Sequence, residues 1–242
     1  MKYLKSINEF WGDVLKRDLL GETREEDKFH SKEQLQEYLK SEIEKQGENV
    51  VIRDLDVSLI EDLSYLFNND IANRVKNFDL SGWKTDMLKK IHHMFSWCDN
   101  IESLNLSGWD VSNVKNMNEV FRYCNSLKSL DLSGWDVSNV KNMRELFFSC
   151  RNLISLDLSG WDTSNVTDMG WMFASCMSLE SLDLSGWNVS NVEKMFRMFQ
   201  DCRKLKSLDL SGWDTSNVKD MCYMFNNCPA PYEVIDNKIV KK

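Results

Sequence analysis

The chain has 242 residues, 42% of them apolar and only two of them proline, enough to fill one continuous core. A net charge of −8 argues against nucleic acid as the main partner, since a phosphate backbone selects basic surfaces. The longest unbroken apolar run, Met221 to Phe225, is too short to span a bilayer, so no transmembrane segment is expected.

Met1 to Asn8 carries Lys2 and Lys5, but no apolar stretch follows. No secretion signal is therefore expected, and by sequence the chain reads as cytoplasmic. Phe10, Trp11, Val14 and Leu15 fall on one face of an amphipathic helix. Ser31 with Gln34 forms a capping-box start for a second, whose apolar face is Leu35, Leu39 and Ile43. Residues 1–47 are expected to form a helical N-terminal cap over whatever core follows; a separate helical interaction element is the alternative.

From residue 48 a repeat takes over. Residues from about Val50 to Asp70 form a degenerate first copy, with Asp56, Val57, Ser58 and Phe67 at the repeat's offsets and about two extra residues. Ser-Gly-Trp then recurs at Gly82, Gly108, Gly134, Gly160, Gly186 and Gly212, each glycine 26 residues after the last. A fixed period of that length means one unit copied and stacked, hence a solenoid of about seven coils over 48–228. Within one unit, Val114, Met117, Val120 and Phe121 have the spacing of a short helix or 3₁₀ segment, with Ser112 as N-cap candidate. Leu130 and Leu132 alternate with Ser129, Asp131 and Ser133, which is a half-exposed strand. The expected fold is an α/β repeat with a parallel sheet on one face and short helices on the other. Pro229 and Pro231 interrupt the pattern, and 229–242, with Val234, Ile235, Ile239 and Val240, is expected to close the stack as a C-terminal cap.

The string F-x-x-C-x-x-L-x-x-L-x-L-S-G-W-D-x-S-N-V-x-x-M, carried by Leu130 to Asp136 and Ser138 to Met143 and recurring down the chain, resembles the BspA-like leucine-rich repeat family in its mycoplasma-type lipoprotein branch. The resemblance implies a leucine-rich-repeat-like, right-handed solenoid. It also implies a bacterial surface protein involved in adhesion and host or matrix contact, at the cell surface if a leader was removed. The family brings no catalytic motif.

Stacking turns each repeated residue into a ladder. Cys98, Cys124, Cys150, Cys176, Cys202 and Cys228 read as small buried thiols, because identical side chains in register are poorly placed for disulfides and no spacing is C-x-x-C. Trp83, Trp109, Trp135, Trp161, Trp187 and Trp213 read as packing at the corner after the strand, with sugar binding as the alternative. Asn113, Asn139, Asn165, Asn191 and Asn217 read as side chains bonded to backbone at a bend. Asp79, Asn105, Asp131, Asp157, Asp183 and Asp209 should line the sheet surface, where carboxylates about 4.8 Å apart repel by roughly 0.9 kcal/mol in water. They are either turn-capping and solubilising residues or a stripe awaiting a basic partner. A second acidic column, Asp110, Asp136, Asp162 and Asp214, is interrupted by Asn188. On the other face Trp171 and Tyr223 take the slot of Glu119 and Arg197, and Phe196 the slot of Asn118. These aromatics mark a contact patch or packing against the C-terminal tail.

His92 and His93 point to different sides of their segment, and no carboxylate constellation accompanies them. No nucleophile motif or phosphate loop occurs, so no enzyme, cofactor or metal is expected. The expected role is a non-enzymatic scaffold for a macromolecular partner, mainly protein. A structural spacer or surface coat and a carbohydrate-binding module are the alternatives. The oligomeric state is left open.

Overall fold

The computed structural model describes residues 28–67, 69–72 and 74–241. The predicted helix at Phe10 to Leu15 lies outside them. The chain opens with α1, Lys32–Gln46, whose N-terminal turn is held by Ser31 Oγ accepting from Gln34 N at 3.3 Å. Gly47, at φ 71°, ends it, and Leu35, Leu39 and Ile43 are buried as its face predicts. Seven three-residue strands follow: β1 Asn49–Val51, β2 Asn77–Asp79, β3 Ser103–Asn105, β4 Ser129–Asp131, β5 Ser155–Asp157, β6 Ser181–Asp183 and β7 Ser207–Asp209, with a four-residue helix, α2 (Asn69–Ala72), between the first two. They pair in parallel as β1 to β5 in order and β6 with β7, so the molecule is a parallel β-solenoid of about six turns. Leu130 lies opposite Leu156, one 26-residue period away, whereas Asn49 lies opposite Asn77, which confirms the longer first coil. The described residues close with an antiparallel hairpin, β8 Tyr232–Ile235 and β9 Lys238–Lys241.

The face opposite the strands corrects the sequence reading, because among the described residues no short helices form the row expected there. N–H groups of Met117, Glu119, Phe121 and Tyr123 donate to the carbonyls of Asn142, Arg144, Leu146 and Phe148 in the next coil, at 2.8–3.0 Å. The alternate groups close tight turns within the coil, as in Arg122 N to Glu119 O and Cys124 N to Phe121 O. This alternation needs left-handed residues, and Glu119 and Tyr123 both sit at φ 58°. Side chains of such turns bury at spacings of three and one, the same spacings a short helix would give. That the helical cap covers residues 1–47 is likewise not shown: α1 is the one long helix among the described residues.

The core is a set of ring and thiol columns along the axis. Phe67, Phe95, Phe121, Phe147, Phe173, Phe199 and Phe225 stack almost parallel, with successive centroids 4.8–5.7 Å apart. Tyr232 of β8 takes the next place, 6.2 Å from Phe225, so the hairpin closes the apolar column. The tryptophan column from Trp83 to Trp187 is buried, and most indole N–H groups donate to the preceding coil, as in Trp109 Nε1 to Leu80 O at 2.7 Å. These rings pack the corner and leave no open stacking surface for a ligand.

Among the described residues no disulfide forms, and of the seven cysteines Cys222 is the exposed one. Each ladder thiol from Cys98 to Cys202 donates to a phenylalanine carbonyl of the preceding coil, as in Cys150 Sγ to Phe121 O at 3.1 Å. Burial pushes these thiols up, away from the reactive thiolate. The same carbonyl would give a serine at Cys150 an acceptor in reach. A thiol reagent is expected to modify only Cys222 in the native chain and the remainder after unfolding. Mass spectrometry of the labelled protein checks this, and rapid native labelling of Cys150 would refute the packing.

Candidate binding surfaces

The strand face carries the acidic column where the alternation of Leu130 and Leu132 puts it. Each carboxylate is partly engaged by its own chain. Asp79, Asp131, Asp157, Asp183 and Asp209 accept through Oδ1 from the N–H of the serine two residues on, at 2.8–3.1 Å, and Asn105 does the same. These are Asx-turns that start the corner after each strand. Ser133 holds the Asp131 carboxyl, and Ser185 the Asp183 carboxyl, below the usual range by donating from hydroxyl and N–H. Partial burial pushes Asp79 up, but Arg53, whose Nε lies 2.6 Å from Oδ2, and Ser81 hold it lower still. Asp131, Asp157, Asp183 and Asp209 are exposed and form no ion pair among the described residues. A groove of about 910 Å³ runs over β1 to β4, lined by Asn77, Asp79, Ser103, Asn105, Ser129 and Asp131 among others. The second column behaves alike: Asp110, Asp136, Asp162, Asn188 and Asp214 each accept from a serine N–H two residues on. The asparagine ladder does as expected, with Asn139 Nδ2 donating to Ser112 O at 2.8 Å and its equivalents repeating the bond.

The turn face brings Trp171, Phe196 and Tyr223 together. The Trp171 and Phe196 rings meet edge to face at 6.4 Å, and the Arg197 guanidinium lies 4.7 Å from Trp171 and 4.9 Å from Tyr223. Phe196 lies directly over Gly170, where an added Cβ would come within 2.5 Å of the ring. Tyr223 is 63% exposed, so packing under the C-terminal tail does not explain it. It is Tyr232 that the tail packs inward.

This trio is one end of a longer strip. Tyr65 stacks on His93 at 4.6 Å, and His93 Nδ1 lies 3.2 Å from a Glu119 carboxylate oxygen. Arg122 bridges Glu119 and Glu145, each at 3.0 Å, and its guanidinium lies over Tyr123 at 4.7 Å and Phe148 at 5.4 Å. Trp97 stacks on Tyr123 at 3.9 Å, and Phe148 meets Trp171 at 5.4 Å. Burial pushes the His93 imidazole down against the pull of Glu119. The strip thus runs from the first coil to the last, with Tyr65 50% and Trp97 45% exposed. The signal for it lay in two slots per coil, four residues apart, which hold Tyr65, His93, Glu119, Glu145, Trp171, Arg197 and Tyr223 in one and Trp97 and Tyr123 in the other. Every one of these residues has a positive φ, between 56° and 68°. A left-handed position favours glycine or asparagine, so side chains this large are held there at a cost of roughly 1–2 kcal/mol each.

Among the described residues no three His, Cys, Asp or Glu side chains converge as a metal site, and no helix is long and apolar enough to cross a membrane. Comparison with curated proteins gives no match. The family described as Mycoplasma protein of unknown function, DUF285, matches residues 34–152 and again 118–237, overlapping spans that take in the whole stack, and the chain belongs to that family.

Proposed function

We propose that this protein is a non-catalytic repeat scaffold that binds another protein through the aromatic strip of its turn face. In this reading it is related to the BspA-like leucine-rich repeats and serves adhesion or host contact at a cell surface. The observation that carries the reading is the strip itself. Rings from Tyr65 to Tyr223 are joined across the coils by ring contacts and by the Arg122 and Arg197 guanidiniums. About half the area of Tyr65, Trp97 and Tyr223 is open, and most of these residues stand on left-handed backbone that glycine would relax. Aromatic and arginine side chains in one patch are the composition of interface hot spots. The acidic strand face is a weaker candidate, because its carboxylates already serve the turns that follow them.

A photo-reactive phenylalanine in place of Trp97 or Tyr223 is expected to capture one protein from host or native-cell extract. With that protein in hand, Trp171→Ala with Phe196→Ala is expected to weaken affinity about tenfold or more, with little salt dependence. Asp157→Asn with Asp183→Asn is expected to leave it within about twofold. A salt-dependent loss in the aspartate pair alone would move binding to the strand face. No captured protein at either position would favour a spacer.

A further inference from the structure

The turn face has a direction. In every coil the N–H groups of alternate residues point towards the C-terminal end of the stack, and the carbonyls that receive them point back. Met195, Arg197, Phe199 and Asp201 donate in this way to Asp220, Cys222, Met224 and Asn226 at 2.8–2.9 Å. In the last coil the equivalent N–H groups belong to Met221, Tyr223, Phe225 and Asn227, and these have no acceptor among the described residues. The intervening carbonyls of Met221, Tyr223 and Phe225 are consumed by turns within the coil. The edge therefore offers donors and no acceptors, unlike an ordinary strand edge, where the two alternate.

The hairpin does not cover it. Tyr232 closes the phenylalanine column, yet Cys222, Tyr223, Asn226 and Asn227 are exposed where their equivalents Phe196, Arg197, Gln200 and Asp201 are half-buried. At the opposite end, where carbonyls point outward, the Lys32 ammonium donates to Ser64 O at 3.1 Å. A cation thus caps the carbonyl end, and by the same electrostatics an anion belongs at the N–H end. A second copy fits poorly, because its carbonyl edge lies under α1 and two N–H edges facing each other repel.

We propose that the C-terminal edge of the solenoid binds an extended acidic peptide, whose carboxylate and main-chain oxygens accept from the N–H groups of Tyr223, Phe225 and Asn227. This site is independent of the aromatic strip's partner, and backbone donors give it affinity for oxygen-rich segments with loose sequence demands. The test is an amide NMR titration of the full chain with a capped Glu-Val-Glu-Val-Glu peptide, followed by hydrogen exchange. The amides of Tyr223, Phe225 and Asn227 are expected to shift saturably downfield and to exchange more slowly, while Tyr65, Phe67 and Arg197 stay put. No saturable shift, an equal response to Lys-Val-Lys-Val-Lys, or full reproduction by inorganic phosphate at the same concentration would each overturn the proposal.

Discussion

Phe147→Ala is expected to cost about 3–5 kcal/mol of stability, the range for a large aromatic truncated in a close-packed core. Phe147 has no exposure and is held between Phe121 at 5.5 Å and Phe173 at 5.7 Å, both nearly parallel to it. Neither neighbour can fall into the vacated space without leaving its own place in the column, because each is fixed by the coil beyond it. The cavity therefore persists, and the cavity cost adds to the lost transfer energy. Phe225→Ala, at the half-buried end of the column, is expected to cost distinctly less. Urea unfolding of the three proteins measures this. In a stack whose coils touch only their neighbours, Phe147→Ala should also split the transition, since it weakens the middle and leaves both ends intact. A loss below about 1 kcal/mol would mean that the column relaxes freely and that the rings are not the spine of the fold.

The period and the strands were legible because they are written in local patterns: Gly82 to Gly212 at equal intervals, and Leu130 and Leu132 in alternation. The start of α1 was legible for the same reason, since Ser31 and Gln34 sit within one turn of each other. The turn face was not, because what separates a short helix from a stack of turns is where the N–H groups go. Glu119 bonds to Arg144, and nothing within ten residues of Glu119 announces that. The apolar spacing of Val114, Met117, Val120 and Phe121 is compatible with both. The same blindness hid most of the strip. Trp171, Phe196 and Tyr223 were visible as aromatics in slots that other copies fill with polar residues. Trp97, Tyr123 and Phe148 were not, because their convergence on Arg122 depends on the left-handed residues that turn the backbone. The acidic column was placed on the right face, but its bonds to Ser133, Ser159 and Ser185 show that corner geometry accounts for much of its recurrence.

Substitutions at Ser175 separate the two backbones by sign. Ser175 lies at φ 61°, its N–H donates to Gln200 O at 2.7 Å, and its side chain makes no hydrogen bond among the described residues. Were the segment helical, Ser175→Gly would remove stability, since glycine is the poorer helix former by up to about 0.5 kcal/mol. In the left-handed conformation the sign reverses. Relief of roughly 1–2 kcal/mol of Cβ crowding exceeds the roughly 0.5–1 kcal/mol of extra chain entropy that glycine loses, so the variant should be neutral to slightly more stable. Ser175→Pro carries the large effect. Proline fixes φ near −65°, which this position cannot adopt, and it deletes the N–H that ties this coil to the next. A loss of about 3 kcal/mol or more is expected, with the coils from Ser175 onward uncoupled from those before it. Thermal unfolding of both variants against the parent decides the matter: a destabilised glycine variant would restore the helix that the sequence alone suggests, and a proline variant close to the parent would mean that the Ser175 N–H does not tie its coil to the next.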